Sequence, residues 1–310
     1  MFKIKLIKPY FWDKSGFNFF SLIFFPLTLI TILINLSKKF NKKKKFDVKT
    51  ICVGNIYLGG TGKTQLVIKL NEMLKKKYNI SVIKKDYKNQ VDEQDLLKKK
   101  TNLILAKQRI QGIKKIKKSK EIAIFDDGLQ DKSINYDLSI VCFNSINGIG
   151  NGKLLPSGPL REKLSELKNY DSVFINGKSN ISLFKKIKFF NKNIKIFYGK
   201  YFLKNKKDFS SKSKYLAFCG IGTPENFFNL LKENNIKVVK NLIFPDHFEY
   251  KSKDIENLKN IAIKNNLKLV TTEKDFMKIK KFKNFEVKFT DVDLHINNHK
   301  RFRRFLISYL

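Results

Sequence analysis

The chain has 310 residues, 42% of them hydrophobic, which is enough for one large or two ordinary α/β domains with substantial cores. Its formal charge is +37, but only five of the 64 basic residues are arginines, and the lysines are scattered along the chain. Because arginine-rich patches and base-stacking aromatic strands are missing, we expect no nucleic-acid partner. The charge fits an anionic membrane or a phosphorylated lipid equally well. Cys52, Cys142 and Cys219 stand singly in apolar segments, which predicts reduced cysteines in the core of a cytoplasmic protein.

An apolar stretch without charges comes near the start of the chain. The run Phe17 to Leu36 is long enough to cross a bilayer. Alternatively, a helix kinked at Pro26 lies in one leaflet, anchored by the aromatic residues 10–12, or is a buried core helix. No small-residue cleavage site follows, so a signal peptide is not expected. The lysine run 38–45 predicts that the next segment lies on the cytoplasmic side.

A glycine-rich turn follows the first predicted strand, residues 48–53. Apolar residues at helical spacing come after the turn, so its backbone N–H groups are predicted to surround an anion at a helix N-terminus. The pattern G-x-x-x-x-G-K-[ST] fails only at Tyr57, and an ordinary glycine-rich turn is the alternative. The predicted phosphate-binding residues are Gly59, Gly60, Thr61, Gly62, Lys63 and Thr64, with Lys63 on the terminal phosphates and Thr64 on Mg²⁺.

Strands and helices alternate from residue 46 onward, which predicts a doubly wound, mostly parallel α/β sheet of the P-loop kinase type. The predicted strands are 48–53, 80–84, 102–105, 121–125, 137–143 and 171–175. We predict three parts: a hydrophobic membrane-associating helix with its basic flank at 1–45, a nucleotide-binding domain at 46–192, and a smaller α/β domain at 193–310. Strands 193–198, 214–218, 236–243 and 267–271 and a final helix from about 298 are assigned to this last part.

Carboxylates follow two of these strands. Asp126 and Asp127 directly follow the strand 121–125, where a carboxylate can hold Mg²⁺ beside Thr64; a polar loop is the alternative. Asp92 and Glu93 follow the strand at 80–84, where a carboxylate can act as a general base, although a solvated acidic turn explains them as well.

Three more charged residues stand out from their surroundings. Arg109, one of the few arginines, opens a lysine-rich helix predicted at 107–118, and a plain surface cation is the alternative. Residues 148–162 are too rich in glycine and proline for a regular element, which is typical of a functional loop. That loop ends in Arg161 and Glu162, which we expect to face a phosphate and its metal.

Together these motifs resemble those of the tetraacyldisaccharide 4′-kinases, the lipid A 4′-kinases of Gram-negative bacteria. The matching segments are 53–64, 126–130, 151–162, 218–228, 245–250 and 272–275, in the family's order. The resemblance implies an inner-membrane enzyme whose catalytic domains lie on the cytoplasmic face. It would move the γ-phosphoryl group of ATP, with Mg²⁺, to the 4′-hydroxyl of a tetraacyldisaccharide 1-phosphate, giving lipid IVA.

The resemblance also implies roles for individual residues. Asp92 matches the catalytic base, with Glu93 beside it, and His247 matches a histidine that pairs with the base. The C-terminal domain would close over the active site. Residues implied to bind the nucleotide or metal are Lys63, Thr64, Asp126 and Asp127, and those implied to line the site are Arg109, Gln130, Arg161 and Glu162.

The chain also departs from the family pattern. Lys84 to Asn89 replaces a Ser-Arg-Gly-Tyr-Gly-Gly segment, the stretch that follows is shorter, and Asp131 replaces a histidine. A membrane-bound P-loop ATPase of the partitioning or targeting type is the alternative function, although Leu58 replaces the signature lysine of that class. A membrane adaptor without catalysis would leave Lys63, Thr64 and Asp126 unexplained.

Overall fold

The computed structural model describes residues 8–14, 16, 18–87, 90–116 and 121–310. The first residue of the predicted apolar run, the Lys88–Asn89 part of the shortened segment and the end of the predicted helix 107–118 lie outside the described residues. The strands are β1 (Lys49–Gly54), β2 (Asn79–Lys85), β3 (Leu103–Ala106), β4 (Glu121–Asp126), β5 (Leu138–Asn144), β6 (Ser172–Asn176), β7 (Lys195–Leu203), β8 (Tyr215–Cys219), β9 (Val238–Ile243), β10 (Lys268–Thr272), β11 (Lys288–Thr290) and β12 (Val292–Ile296). The helices are α1 (Phe19–Ile23), α2 (Phe25–Lys39), α3 (Lys63–Leu74), α4 (Val91–Lys100), α5 (Arg109–Lys114), α6 (Ile181–Phe190), α7 (Pro224–Glu233), α8 (Ser252–Lys264), α9 (Glu273–Ile279) and α10 (His299–Ile307).

The described residues form an eight-stranded sheet in the order β12-β7-β6-β5-β1-β4-β2-β3. From β7 to β3 every neighbouring pair runs parallel. Strands β1 and β5 are buried along almost their whole length, as expected for continuous apolar runs covered by helices on both faces. The six strands predicted for the nucleotide-binding domain and the mostly parallel α/β class are confirmed.

The described residues also form a four-stranded parallel sheet, in the order β11-β10-β8-β9. Helix α7 begins after Thr223 with Pro224 in its first turn, where the missing N–H removes no helical hydrogen bond. No side-chain cap from Thr223 forms, contrary to the capping expected of a threonine at that position. Phe218, Leu231 and Val270 are buried around this sheet.

The described chain divides into two compact units. The larger unit consists of Lys8–Asp86, Lys100–Lys200 and His295–Leu310, and the smaller unit contains Tyr87–Lys99 and Tyr201–Leu294. Strand β7 begins in the large sheet and α10 packs in the larger unit, where Phe302 contacts Phe174 and Phe197. The sequence-based assignment places both elements in the C-terminal domain instead. The aromatic side chains of α10 pack against apolar residues of β6 and β7. A local sequence pattern does not specify which strands a helix packs against.

The apolar stretch near the N-terminus is not one helix. It forms α1 and α2, which are separated at Phe24 because Pro26, in the first turn of α2, has no N–H for the preceding turn and its ring crowds that turn's carbonyl. Within the described residues, no helix combines the length and apolarity needed to span a bilayer. The single membrane helix expected from the sequence is therefore not supported in this part of the chain.

Three polar side chains of α1 and α2 turn inward. Ser21 Oγ donates to the Ser157 carbonyl over 2.7 Å, Thr28 Oγ1 and Ser157 Oγ are 2.8 Å apart, and Asn35 donates to the Arg161 carbonyl over 2.8 Å. Thr28 and Asn35 lie seven residues apart on α2, about two helical turns, so they share one face of that helix. Most large apolar side chains of α1 and α2 are exposed instead: Phe19, Phe20, Leu22, Ile23, Phe25, Leu27, Leu29, Ile30, Leu33, Ile34 and Leu36.

Candidate active site

The glycine-rich loop joins β1 to α3 in the larger unit. Gly59 and Gly62 have φ values of +115° and +86°, a backbone region that costs glycine little and other residues more. Asn55 stabilises the turn by donating its amide N–H groups to the carbonyls of Tyr57 and Gly59. Helix α3 starts at Lys63, so its first N–H groups face the loop, as required for an anion site.

Tyr57 explains the missing first glycine of the motif. Its side chain is almost fully buried, and its hydroxyl donates to Asp13 over 3.1 Å. The neighbouring Leu58 N–H donates to the Pro159 carbonyl over 2.8 Å. The loop is therefore attached at two points, to Asp13 through the Tyr57 side chain and to the segment before Arg161 through the Leu58 backbone.

Asp127 lies at the centre of a group of cations. Arg161 Nη1 lies 2.9 and 3.1 Å from the two carboxylate oxygens, and Lys63 Nζ lies 3.5 Å from Oδ1. Arg109 donates to the backbone carbonyl of Asp127, and Gln130 accepts a hydrogen bond from Arg161. Burial raises the pKa of Asp127, but the charges of Lys63 and Arg161 outweigh it and lower the pKa to about 2. The arrangement holds Lys63 and Arg161 together next to the loop.

Asp126 is paired with a residue that we did not predict. Lys84 Nζ donates to Asp126 Oδ2 over 2.7 Å, and both side chains are essentially inaccessible to solvent. Lys84 and Asp126 are register partners on the neighbouring parallel strands β2 and β4. The sequence places both residues at the carboxyl ends of predicted strands. It does not show that these two strands are neighbours in the sheet.

The donor set fits a bound Mg²⁺. The Oδ1 atom of Asp126 is buried and lacks a hydrogen-bond partner, which is costly unless a ligand or metal shell completes it. Asp126 is the register partner of Val53, at the end of the strand that leads into the loop, and Thr64 is the second residue of α3. One carboxylate, one hydroxyl and phosphate oxygens are the kind of ligands that Mg²⁺ takes in nucleotide sites.

Glu162, predicted to face a phosphate and its metal, is tied to two protein groups in the larger unit. Its carboxylate accepts a 2.5 Å hydrogen bond from the Tyr170 hydroxyl and lies 3.1 Å from Lys132 Nζ. Burial and the adjacent Glu162 charge raise the pKa of Tyr170, so its hydroxyl stays a donor. Glu162 is therefore a fixed, paired carboxylate at the end of the functional loop.

The smaller unit brings Asp92 and His247 together. Asp92 lies in the first turn of α4 and His247 in the loop after β9, where His247 has a φ of +56° and its N–H donates to the Gly220 carbonyl. His247 Nδ1 is 3.0 and 3.2 Å from the two oxygens of Asp92. An ionised carboxylate can only accept hydrogen bonds, so the Nδ1 atom of His247 carries the proton and donates it to Asp92 in this hydrogen bond.

Two lysines of α9 complete this cluster. Lys278 Nζ is 3.1 Å and Lys274 Nζ 3.8 Å from Asp92 Oδ2, and Lys274 also lies 2.9 Å from Glu93. Burial raises the pKa of Asp92, but the hydrogen bond from His247 and the two lysine charges lower it below its ordinary value. Sequence reasoning missed both lysines, although Lys274 belongs to a motif that we had matched to the family.

Comparisons of the sequence with known proteins identify one family. The family described as tetraacyldisaccharide-1-P 4'-kinase matches residues 18–310. The chain belongs to this family. A tetraacyldisaccharide 4'-kinase of Pelagibacter ubique is 45% identical over 309 residues, 98% of each chain, and one of Rickettsia bellii is 35% identical over 319 residues, 95% of this chain and 96% of the relative.

The fold of this 4'-kinase family member also resembles a solved structure. A crystal structure titled as an "apo" form of LpxK from Aquifex aeolicus in complex with ATP has a TM-score of 0.70 and 24% identity. The aligned region covers 93% of this chain and 99% of the solved chain. At this identity the likeness supports only a shared α/β fold. The family resemblance inferred from the sequence motifs is confirmed by the family match.

Proposed function

We propose that this protein transfers the γ-phosphoryl group of ATP to the 4′-hydroxyl of a tetraacyldisaccharide 1-phosphate, giving lipid IVA. The observation that carries the proposal is the match of residues 18–310 to a family of kinases for that acceptor. The geometry of the larger unit supports a nucleoside triphosphate, because a glycine-rich turn, a helix N-terminus and paired cations are together suited to a polyphosphate. An ATPase of the partitioning or targeting type is not favoured.

In this proposal, the larger unit holds the nucleotide. The loop Gly59–Thr64 binds phosphate oxygens through its N–H groups, and Lys63, kept close to Asp127, faces the terminal phosphates. Arg161 stabilises charge on the transferring group. A bound Mg²⁺ would be held by Thr64 and by the unpaired oxygen of Asp126, and would neutralise charge as it builds up on the phosphates. Asp127 as a direct metal ligand stays a prediction, because both its oxygens are near Arg161.

Asp92 is the proposed acceptor of the hydroxyl proton. As that proton moves to the carboxylate, the 4′-oxygen bonds to the γ-phosphorus and the bond between this phosphorus and the bridging oxygen of ADP breaks. His247 orients the carboxylate through the Nδ1–H hydrogen bond. Lys274 and Lys278 keep Asp92 ionised and ready to accept, while making it a weaker base.

The enzyme is proposed to work at the cytoplasmic face of the inner membrane. Its α1 and α2 turn Ser21, Thr28 and Asn35 toward the protein and expose Phe, Leu and Ile, the reverse of a helix that faces water. A contiguous apolar surface of this kind marks a membrane or protein contact. The exposed lysines that follow α2 favour an anionic lipid surface.

One assay tests the proposed reaction. Detergent-solubilised protein is incubated with Mg²⁺, γ-labelled ATP and tetraacyldisaccharide 1-phosphate, and label is measured in lipid and in free phosphate. The wild-type protein is expected to produce labelled lipid, and Lys63→Met to produce much less of it. Lys75→Met, which changes an exposed lysine at the other end of α3, should produce nearly the wild-type amount. Label only in free phosphate would refute the kinase and favour the ATPase.

A further inference from the structure

A recess of about 200 Å³ lies in the larger unit where the end of α2 meets the segment after Arg161. Ile32, Leu36 and Leu154 contribute its apolar side. Its charged side chains are Lys38, Lys39, Lys132, Glu162, Lys163 and Glu166. None of the phosphate-loop residues Gly59–Thr64 lines it, and of the residues assigned above to the active site only Glu162 does.

The charges of the recess favour an anion. Lys39 Nζ is 2.6 Å from Glu166, and Lys132 Nζ is 3.1 Å from Glu162, so each acidic residue is already paired with a lysine. Lys38 and Lys163 remain as two positive charges in excess. An entering anion therefore meets cations that no carboxylate lining the recess neutralises, whereas an entering cation would be repelled.

The size of the recess limits what enters. It exceeds the space of a few water molecules, about 30 Å³ each in the liquid. It is smaller than pockets that enclose a whole drug-sized ligand, about 300–1,000 Å³. A phosphate group with part of its sugar or glycerol therefore fits, and long acyl chains have to remain outside.

The position of the recess shows where those chains would lie. Leu36 lines the recess and is itself about half exposed, at 47%, next to the exposed apolar face of α2. A lipid whose headgroup occupies the recess can thus keep its acyl chains against that face. Free inorganic phosphate has no acyl chains, so it would contact only the charged side chains of the recess.

We propose that this recess binds the phosphate headgroup of a membrane lipid, with Lys38 and Lys163 as its selective cations. The proposal rests on the proposed function for one of its two sources: the 1-phosphate of the acceptor itself, which would then be recognised away from the reacting 4′-hydroxyl. The other source is an anionic phospholipid that holds the enzyme at the surface. Both have the same chemistry, a lipid phosphate at the end of α2.

The variants compare the recess with lysines near it. The test protein is Lys38→Gln/Lys163→Gln, and the control is Lys42→Gln/Lys168→Gln, which removes two exposed lysines close in sequence to the first two but outside the recess. The acceptor is tetraacyldisaccharide with or without its 1-phosphate, in neutral detergent with or without phosphatidylglycerol. Binding is measured separately, by sedimentation with phosphatidylcholine vesicles that contain or lack phosphatidic acid.

Two results support the proposal and separate its sources. If the 1-phosphate is the ligand, the test variant raises KM for the acceptor that carries it by about 10-fold or more relative to the acceptor that lacks it. If a phospholipid is the ligand, the test variant loses stimulation by phosphatidylglycerol with both acceptors. In either case its binding to phosphatidic acid vesicles falls below that of the control.

The proposal fails if the test and control variants have equal KM ratios, equal phospholipid stimulation and equal vesicle binding. Failure of the proposed function is a different result, in which the wild-type protein labels no lipid. In that event vesicle binding alone decides: a selective loss of binding to phosphatidic acid in the test variant supports the recess, and equal loss in both variants overturns it.

Discussion

The Nδ1 atom of His247 lies 3.0 Å from Oδ1 of Asp92, although 155 residues separate them in the chain. Lys278, on α9, lies 3.1 Å from the other oxygen of the same carboxylate. Asp92 is thus held from two sides in a buried position. A carboxylate fixed in this way has few orientations open to it, which is what a proton acceptor in a phosphoryl transfer requires.

The first prediction concerns this carboxylate. Asp92→Asn keeps the shape of the side chain but removes the negative charge that accepts the proton. We expect kcat for lipid phosphorylation to fall by about 10²–10⁴-fold, the usual contribution of a general base, while the affinity for ATP stays within about 2-fold. Labelled lipid measures kcat, and equilibrium binding of a nucleotide analogue measures affinity.

Asp95→Asn is the control for Asp92→Asn, because Asp95 lies on the same helix, is partly exposed and has no ion pair with α9 among those described. It should keep nearly full activity. Wild-type kcat in Asp92→Asn would show that the base is a different group.

The second prediction concerns pH. The base acts in its ionised form, and the lowered pKa of Asp92 keeps that form present below the ordinary value of 3.8. Lys278→Met removes one lowering charge, so the pKa of Asp92 rises and the acid limb of kcat/KM moves to higher pH. The measurement is the pH profile of lipid phosphorylation from below pH 3.8, the ordinary pKa of this carboxyl, up to about pH 8.

Lys283→Met removes an exposed lysine four residues beyond α9 and should leave the acid limb in place. The same linkage affects folding. A carboxyl whose pKa is depressed stabilises the fold above its unfolded pKa, and that stabilisation is lost as the pH falls through the folded one. An unmoved or lowered acid limb in Lys278→Met contradicts the prediction.

The third prediction concerns the buried pair of Lys84 and Asp126. Lys84→Met leaves the carboxylate in a site without solvent or its lysine countercharge, so we expect a loss of about 3–5 kcal/mol in the free energy of unfolding of the larger unit. Urea unfolding followed by circular dichroism measures it. Lys49→Met, at the exposed start of β1, should change the same quantity by less than about 0.5 kcal/mol. Similar stabilities for the two variants would contradict a structural role of the pair.

The fourth prediction concerns Arg161. One of its nitrogens contacts both oxygens of Asp127 and the Gln130 side-chain oxygen. Arg161→Lys keeps the charge but loses the planar donor group, so we expect kcat/KM for ATP to fall by about 10-fold or more. Steady-state kinetics at saturating acceptor measure this. Lys153→Arg, a charge-preserving change elsewhere in the same loop, is the control, and an equal effect of both variants would argue against a specific role.

The fifth prediction concerns the exposed apolar face of α2. Leu29→Ser/Leu33→Ser removes two exposed leucines without touching the polar contacts of Thr28 or Asn35. We expect binding to anionic vesicles to fall by about 10-fold or more, because each leucine contributes roughly 1.5–3 kcal/mol when it is fully buried in an apolar environment. Vesicle sedimentation measures binding, and thermal unfolding should be unchanged.

A matched substitution tests whether this effect belongs to α2. Ile263→Ser changes an apolar side chain that is 77% exposed, on α8 of the smaller unit. It should leave vesicle binding unaltered. An equal reduction in both proteins would mean that the membrane contact is not specific to the face of α2.

Features that depend on neighbouring residues could be predicted from the sequence alone. The alternation of apolar strands and helices predicted the parallel sheet, because burial on both faces leaves a continuous apolar run. The segment Gly59–Thr64 predicted the anion loop, since a turn before a helix needs only its own glycines and backbone N–H groups. The motif set also indicated the family, which the match over residues 18–310 confirms.

Contacts between distant side chains became known only from the tertiary structure. Lys84 reaches Asp126 because β2 and β4 are neighbours in the sheet, and strand order is not written in any one strand. Lys278 reaches Asp92 because α9 packs beside α4, and the polar faces of α1 and α2 turn inward because Ser157 and Arg161 supply their hydrogen-bond partners. Each of these contacts depends on packing between elements far apart in the chain, so local periodicity and propensity cannot specify it.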